Sequence, residues 1–283
     1  MIYDRETKTI IKDMQYGSKY LNFLYNNILG RVILKLIICP AFSKIYGKYN
    51  NMSISKKKVN TFIKKYNIDI NEFEQKEYKS FNDFFTRKKQ AINFDKEKNN
   101  FIAPVDSKLM VYKIKDDMTI KIKQSFYTIE ELIEDKINLE QFKNGNCLVF
   151  RLSMDDYHRY CYIDDGTIEK IKIIKGKLHT VSSISNKHKV YSQNTRICNY
   201  MTTDNFDKII YIEVGALLVG KINNYNKKIY NKGDEKGYFE LGGSTIIILT
   251  NDKIKIDNDI LEYSNKDIET KVKYGEKIGE IKC

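Results

Sequence analysis

The stretch Y-F-E-L-G-G-S-T-I-I-I-L-T, residues 238–250, joins two apolar, strand-like runs through Gly242, Gly243, Ser244 and Thr245. It lacks the Asn-Gly or Asp-Gly pair of the usual two-residue hairpin. A tight turn accounts for it on local grounds alone, because glycine reaches φ > 0 without steric cost and Ser and Thr tolerate loops. Whether the bend carries chemistry depends on what the rest of the chain supplies.

Working outward from this bend, residues after about 100 form short β-rich runs: K-L-M-V-Y-K-I, C-L-V-F-R-L, T-I-E-K-I-K-I-I-K-G and I-I-Y-I-E-V-G-A-L-L-V-G-K-I. Only Y-T-I-E-E-L-I-E-D interrupts them with helical spacing. The first third reads differently. Residues 1 to about 18 alternate weakly and predict a short strand or hairpin, and helical patterning follows from about 19 to 48. A second helix is expected through S-K-K-K-V-N-T-F-I-K-K-Y, capped by Ser53 or Ser55, and a short one at S-F-N-D-F-F-T-R, opened by Ser80 with Asp83 as its capping-box partner. The expected fold class is α+β: a helical N-terminal region, 1–98, followed by a mostly antiparallel, barrel-like or sandwich-like core, 99–283.

The chain has 283 residues, enough for a sizeable core, and only two prolines, so no Pro-rich linker marks a boundary. Five cysteines without C-x-x-C spacing argue against a disulfide framework or a zinc site and for a reducing, intracellular setting. No metal is expected. Of the formal charge of +12, residues 1–100 carry +10, from 20 Lys/Arg and 10 Asp/Glu. Between Asp13 and Asp69 there is no acidic residue, while ten Lys and Arg fall there.

That interval also contains Y-L-N-F-L-Y-N-N-I-L-G-R-V-I-L-K-L-I-I-C-P-A-F, unusually apolar for a nucleic-acid arm. Its uncharged runs are broken by Arg31, Lys35 and Pro40 and fall short of the ~20 residues a membrane span needs. Arg31 and Lys35 share a helical face, with Ile28, Val32, Ile33, Leu36 and Ile37 around the remainder. A helix lying in a lipid interface is the preferred reading, with a plain core helix as the alternative.

Candidate chemistry is narrowed by scarcity. The three histidines are His158, His179 and His188, and His158 stands in R-L-S-M-D-D-Y-H-R-Y-C, just past an apolar run. Asp106, in A-P-V-D-S-K-L, opens another run, where a turn residue is the simpler reading.

Taken together, F-N-D-F-F-T-R (81–87), A-P-V-D (103–106), Y-H-R-Y (157–160), G-K-L-H-T-V (176–181), N-T-R (194–196), V-G-A-L-L-V-G-K-I (214–222), K-G-D-E-K-G-Y-F-E-L-G-G-S-T (232–245) and Y-G-E-K-I-G (274–279) resemble, in order, the phosphatidylserine decarboxylase family. The resemblance implies that the chain cuts itself at Gly243–Ser244. The Ser244 hydroxyl would attack the Gly243 carbonyl, and elimination of the resulting ester would leave fragments 1–243 and 244–283, with a pyruvoyl group in place of Ser244 as covalent cofactor. It further implies conversion of phosphatidylserine to phosphatidylethanolamine, with Asp106, His158 and Ser244 as a relay, by a peripheral enzyme on the cytoplasmic side of the cell membrane. The anionic membrane surface and the two chains of the cut proenzyme would be its partners, nucleic acid would not, and self-association is left open.

Two departures stand out. Many members read Y-H-R-x-H, where this chain has Cys161, so that cleavage and substrate protonation must share His158 or recruit His179. Ser107 replaces the glycine of P-x-D-G, a milder change. The alternatives are a related decarboxylase of another serine-headed lipid, and a non-catalytic basic module for membrane or nucleic acid in which 242–244 is only a turn.

Overall fold

The computed structural model describes residues 1–13, 18–122, 125–181, 189–218, 221–225, 227–241 and 244–282. Its centre is the strand Ser244–Thr250, in which every residue is buried. It pairs antiparallel with Asp207–Gly215 on one side and Asn146–Leu152 on the other. Period-2 alternation sends Ile246 and Ile248 into one core with Leu152, Tyr160 and Phe239, and Ile247 and Leu249 into a second with Val149, Ile212 and Val214. A strand paired on both edges and covered on both faces has no wet side, which is why I-I-I-L is continuous rather than alternating.

Around it the sheet has ten strands in the order Ile229–Tyr230, Gly166–Ile174, Arg196–Thr203, Asp207–Gly215, Ser244–Thr250, Asn146–Leu152, Ser107–Lys113, Glu269–Val272, Ile2–Asp4 and Thr9–Ile11. The pairings are antiparallel except that of Ile2–Asp4 with Glu269–Val272, which is parallel. The two outer strands do not meet, so the barrel-like expectation is corrected to an open sheet. Two three-stranded sheets, Ile222–Asn224/Glu235–Phe239/Arg159–Cys161 and Ile254–Ile256/Lys277–Ile281/Asn100–Ile102, contribute to the first core. The expected opening hairpin is present at 2–11, and it belongs to the main sheet rather than to the helices that follow.

The expected helical run from 19 to 48 is three helices: α1 (Ser18–Asn26), α2 (Ile28–Ile37) and α3 (Pro40–Asn51). Asn27 breaks the first from the second by capping α2, its side chain accepting from Leu29 N and Gly30 N. Pro40 sits in the first turn of α3, where its missing N–H costs nothing. Helix α4 (Lys58–Tyr66) buries Val59 and Phe62 as its spacing predicts, but Ser55 does not cap it. Ser55 Oγ instead donates to Asn50 O and Met52 O and accepts from Phe81 N, tying α3 to α5 (Phe81–Phe85). Ser80 caps α5 as expected, while the Asp83 carboxylate accepts from Lys79 N rather than from the cap itself. No helix among the described residues is long and apolar enough to cross a membrane.

The core holds a costly polar element. Lys236 and Glu213 form an ion pair with both side chains at most 1% exposed, and Asn199 bonds both partners. The Lys236 ammonium lies 5.0 Å from the centre of the Tyr211 ring. This pair fastens Glu235–Phe239, the strand leading to the Gly-Gly bend, onto Asp207–Gly215. Removing one partner strands a buried charge, so Lys236→Met is expected to cost roughly 3–5 kcal/mol. A thermal melt should show a clear drop for Lys236→Met and substantial recovery in Lys236→Met/Glu213→Leu; an unshifted single variant contradicts this role.

Candidate active site

Ser244 is the first residue of the central strand, with Gly215 and Leu152 as its cross-strand neighbours. Its side chain lies on the same face as Ile246, towards the core that contains Tyr157, Tyr160 and Cys161. The Ser244 hydroxyl is fully buried and forms no hydrogen bond among the described residues. Thr245, Thr270 and Ser43 share this condition, so what sets Ser244 apart is its place at the Gly-Gly bend. Gly242 and Gly243, the other half of the expected cleavage site, lie outside the described residues. Glycine at 215 keeps the neighbouring strand slim: an added Cβ would come within 3.1 Å of Leu178 Cδ2.

The approach to the bend is held by the F-N-D-F-F-T-R segment. Asn82 Oδ1 accepts from Leu241 N at 3.2 Å, and Leu241 packs among Phe81, Phe84 and Phe85. The Phe85 ring lies 4.2 Å from the His158 ring. Phe239 N donates to His158 O at 3.0 Å, so the histidine and the strand entering the bend are also joined by backbone. Arg159 completes the frame, donating to Thr86 O at 2.7 and 2.9 Å and pairing with Glu235 of K-G-D-E. Gly233 in that segment has φ of +80°, with the Phe94 ring 2.5 Å from where a Cβ would be, so only glycine fits.

His158 is 1% exposed, and its Nδ1 lies 2.9 Å from the Asp156 carbonyl oxygen. A carbonyl can only accept, so Nδ1 carries a proton, and in the neutral ring Nε2 keeps its lone pair. This is the tautomer a general base requires. The loop presenting it is fixed by the Asp156 carboxylate, which takes Lys108 Nζ at 2.6 and 2.7 Å and Ser153 N at 2.6 Å.

Asp106 lies in a neighbouring cluster. Its carboxylate accepts from Lys89 Nζ at 2.9 Å and Tyr274 N at 2.6 Å. The expected Asp106–His158 hydrogen bond is not among those formed by the described residues; the orienting acceptor at Nδ1 is the Asp156 carbonyl. Cys161 is buried near Asp106, its thiol donating to Pro104 O at 3.5 Å, and burial pushes its pKa up to about 12, so it stays a neutral thiol.

His179 reaches the other side of the central strand. Asn194 bonds the His179 backbone in both directions, at 2.9 Å each, and donates to Gly215 O at 2.8 Å. Leu217 N donates to His179 O, and the Tyr25 hydroxyl of α1 lies 3.2 Å from His179 Nδ1. The segments G-K-L-H-T-V and N-T-R thus meet beside Gly215, while Y-H-R-Y follows the strand ending at Leu152. His188 lies outside the described residues.

A cavity of about 770 Å³ opens at these strand ends, lined by Leu152, Leu217 and Leu241 from the sheet side, by Leu21, Leu24, Phe42 and Phe62 from the helices, and by Lys57, Lys58 and Lys65. It is a mostly apolar space with ammonium groups, suited to an amphiphile of negative headgroup. Sequence reasoning missed Lys89 and Asn82. Lys89 stands in an ordinary basic run, whereas Asn82, a lone amide among phenylalanines, offered a signal.

The phosphatidylserine decarboxylase family model matches residues 81–280. Over 284 residues the chain is 56% identical to phosphatidylserine decarboxylase proenzyme 2 of Clostridium acetobutylicum, covering 99% of this chain and 98% of the relative. It is 40% identical to the phosphatidylserine decarboxylase proenzyme of Clostridium beijerinckii, with 98% of both chains covered, and 41% identical to that of Clostridium botulinum type Ba4, with 99% of both covered. With the motif segments gathered around Ser244 and this likeness running the length of the chain, the protein belongs to the phosphatidylserine decarboxylase family.

Proposed function

We propose that the chain is a self-processing proenzyme that cuts Gly243–Ser244, converts Ser244 into a pyruvoyl group, and with it decarboxylates phosphatidylserine to phosphatidylethanolamine. The observation that carries this reading is the place of the Ser244 hydroxyl: buried at the first position of the central strand, just after the Gly-Gly bend, with its cross-strand neighbour Leu152 lining the apolar cavity. A hydroxyl consumed in making the group fits such a site, since no bond to the described residues is lost with it. The pyruvoyl group supplies an electron-withdrawing carbonyl that holds the electron pair released as carbon dioxide leaves.

The remaining work falls to side chains. His158, with Nε2 as its basic nitrogen, takes the Ser244 hydroxyl proton during cleavage. Asp106 serves the relay from the neighbouring cluster, where Lys89 and the Tyr274 backbone hold its carboxylate. The leucines of the cavity take acyl chain, and Lys57 and Lys65 attract the phosphodiester. A related decarboxylase of another serine-headed lipid would use the same site and differ only in the substrate consumed.

Within residues 1–98 the helices α1 to α4 act as the membrane-facing part, on the cytoplasmic side of the cell membrane, while the hairpin 2–11 and the segment 81–87 pack with the catalytic core, 99–283. On α2, Ile28, Leu29, Val32, Ile33 and Leu36 are each 44 to 73% exposed, while Leu34 and Gly30 are buried and Ile37 lines the cavity. An apolar face of this size beside Arg31 and Lys35 suits an anionic lipid interface.

Two experiments test the reading. Ser244→Ala should run as one uncut chain and release no carbon dioxide from phosphatidylserine. His158→Ala should slow cutting by about 100-fold or more. If His158→Ala cuts normally but fails to turn over, while His179→Ala stays uncut, the cleavage base is His179. For the membrane, flotation with anionic vesicles should weaken as salt rises, and each of Arg31→Gln and Lys35→Gln should lower affinity about fivefold. Equal binding to neutral and anionic vesicles contradicts the electrostatic part.

A further inference from the structure

We propose that the opening hairpin, residues 2–11, is the clasp that retains fragment 244–283 after the chain is cut, with Arg5 as its lock. The inference rests on the self-cleavage reading and concerns the interface that cleavage creates. In the main sheet, Ile2–Asp4 has two neighbours: its own hairpin partner Thr9–Ile11, and Glu269–Val272 of the small fragment. The hairpin therefore joins the sheet only through residues that cleavage places in the other chain. Without it, Glu269–Val272 would be an edge strand held on one side by Ser107–Lys113.

Arg5 directs its whole guanidinium to the small fragment. Nε donates to Asp259 Oδ2 at 2.8 Å, Nη2 to Asp257 Oδ2 at 2.8 Å and Asp259 Oδ1 at 3.3 Å, and Nη1 to Glu276 Oε1 at 2.6 Å and Lys277 O at 2.9 Å. These acceptors sit on two segments: Asp257 and Asp259 at the N-terminal end of the helix Asn258–Asn265, and Glu276 and Lys277 where the strand Lys277–Ile281 begins. A single planar fork thus ties the hairpin to two segments of the fragment at once, segments that the pairing of Ile254–Ile256 with Lys277–Ile281 already holds side by side. The guanidinium is mostly buried, and with three carboxylates around it its removal leaves them to repel one another in a partly desolvated place. Flanking contacts have the same direction: Tyr3 stacks on Tyr263 at 3.8 Å, Asp4 pairs with Lys271 and Glu6 with Lys273. While the chain is intact, such contacts add only to fold stability. Once it is cut, they oppose dissociation.

The test uses purified, self-cut full-length protein and its Arg5→Met variant, held in graded urea and passed over a size-exclusion column, with the 244–283 fragment quantified by mass spectrometry. Arg5→Met should release the fragment about tenfold faster or more than wild type, with Arg5→Lys between them. In the uncut Ser244→Ala background, neither Arg5 variant should release anything. If Arg5→Met fails to fold, Asp259→Asn probes the same lock from the other chain. Fragment release from cut Arg5→Met or Asp259→Asn at the wild-type rate overturns the clasp. A wild-type chain that is never cut overturns the cleavage reading beneath it.

Discussion

The pairing of Ser244–Thr250 between Asp207–Gly215 and Asn146–Leu152 is the constraint on which the rest of the site depends. A strand hydrogen-bonded on both edges and buried on both faces cannot shift its register by one residue without moving every side chain to the opposite face. That fixes Ser244 at the strand's first position, on the side of the aromatic core, whatever the backbone just before it does. The two flanking strands then set where everything else arrives: the His158 loop follows Leu152, and the His179 segment is tied to Gly215 and Leu217.

Much of this was legible in the sequence because it is local. Ser80 caps its helix, Y-T-I-E-E-L-I-E-D contains the helix Ile129–Ile133, and the β-rich runs after residue 100 fall where their patterns place them. His158 stood out by scarcity and Ser244 by the Gly-Gly pair before it, and the resemblance gave both their expected roles. What was not legible is what long-range pairing decides. Nothing in I-Y-D reveals that it lies parallel to E-T-K, more than 260 residues away, or that the sheet therefore stays open. The helix Asn258–Asn265 was missed because eight residues with two Asn and one Ser give a weak helical pattern. Asp106 was read as a partner of His158, whereas Lys89 and the Tyr274 backbone hold it; which cation captures a carboxylate is a tertiary fact.

The ordered motifs acquire a common physical explanation in the fold. Asn82, Arg159 and Asn194 are each buried or nearly so and spend their polar groups on backbone of other segments: Asn82 on Leu241, Arg159 on Thr86, Asn194 on His179 and Gly215. They act as cross-braces, and a hydrogen bond made by such a group is costly to leave unmade. The same economy links the helical region to the site, since the Tyr25 hydroxyl accepts from Thr180 N and contacts His179 while its outer neighbours on α2 stay exposed.

The central claim is that the chain processes itself at the residue that begins its most buried strand. Intact mass of the purified wild-type protein under denaturing conditions tests it most directly. The account predicts two species, residues 1–243 and a 40-residue fragment beginning at position 244 whose N-terminus carries a ketone in place of an amino group, since 283 − 243 = 40. A single species of 283 residues, or a cut at any other bond, would contradict it.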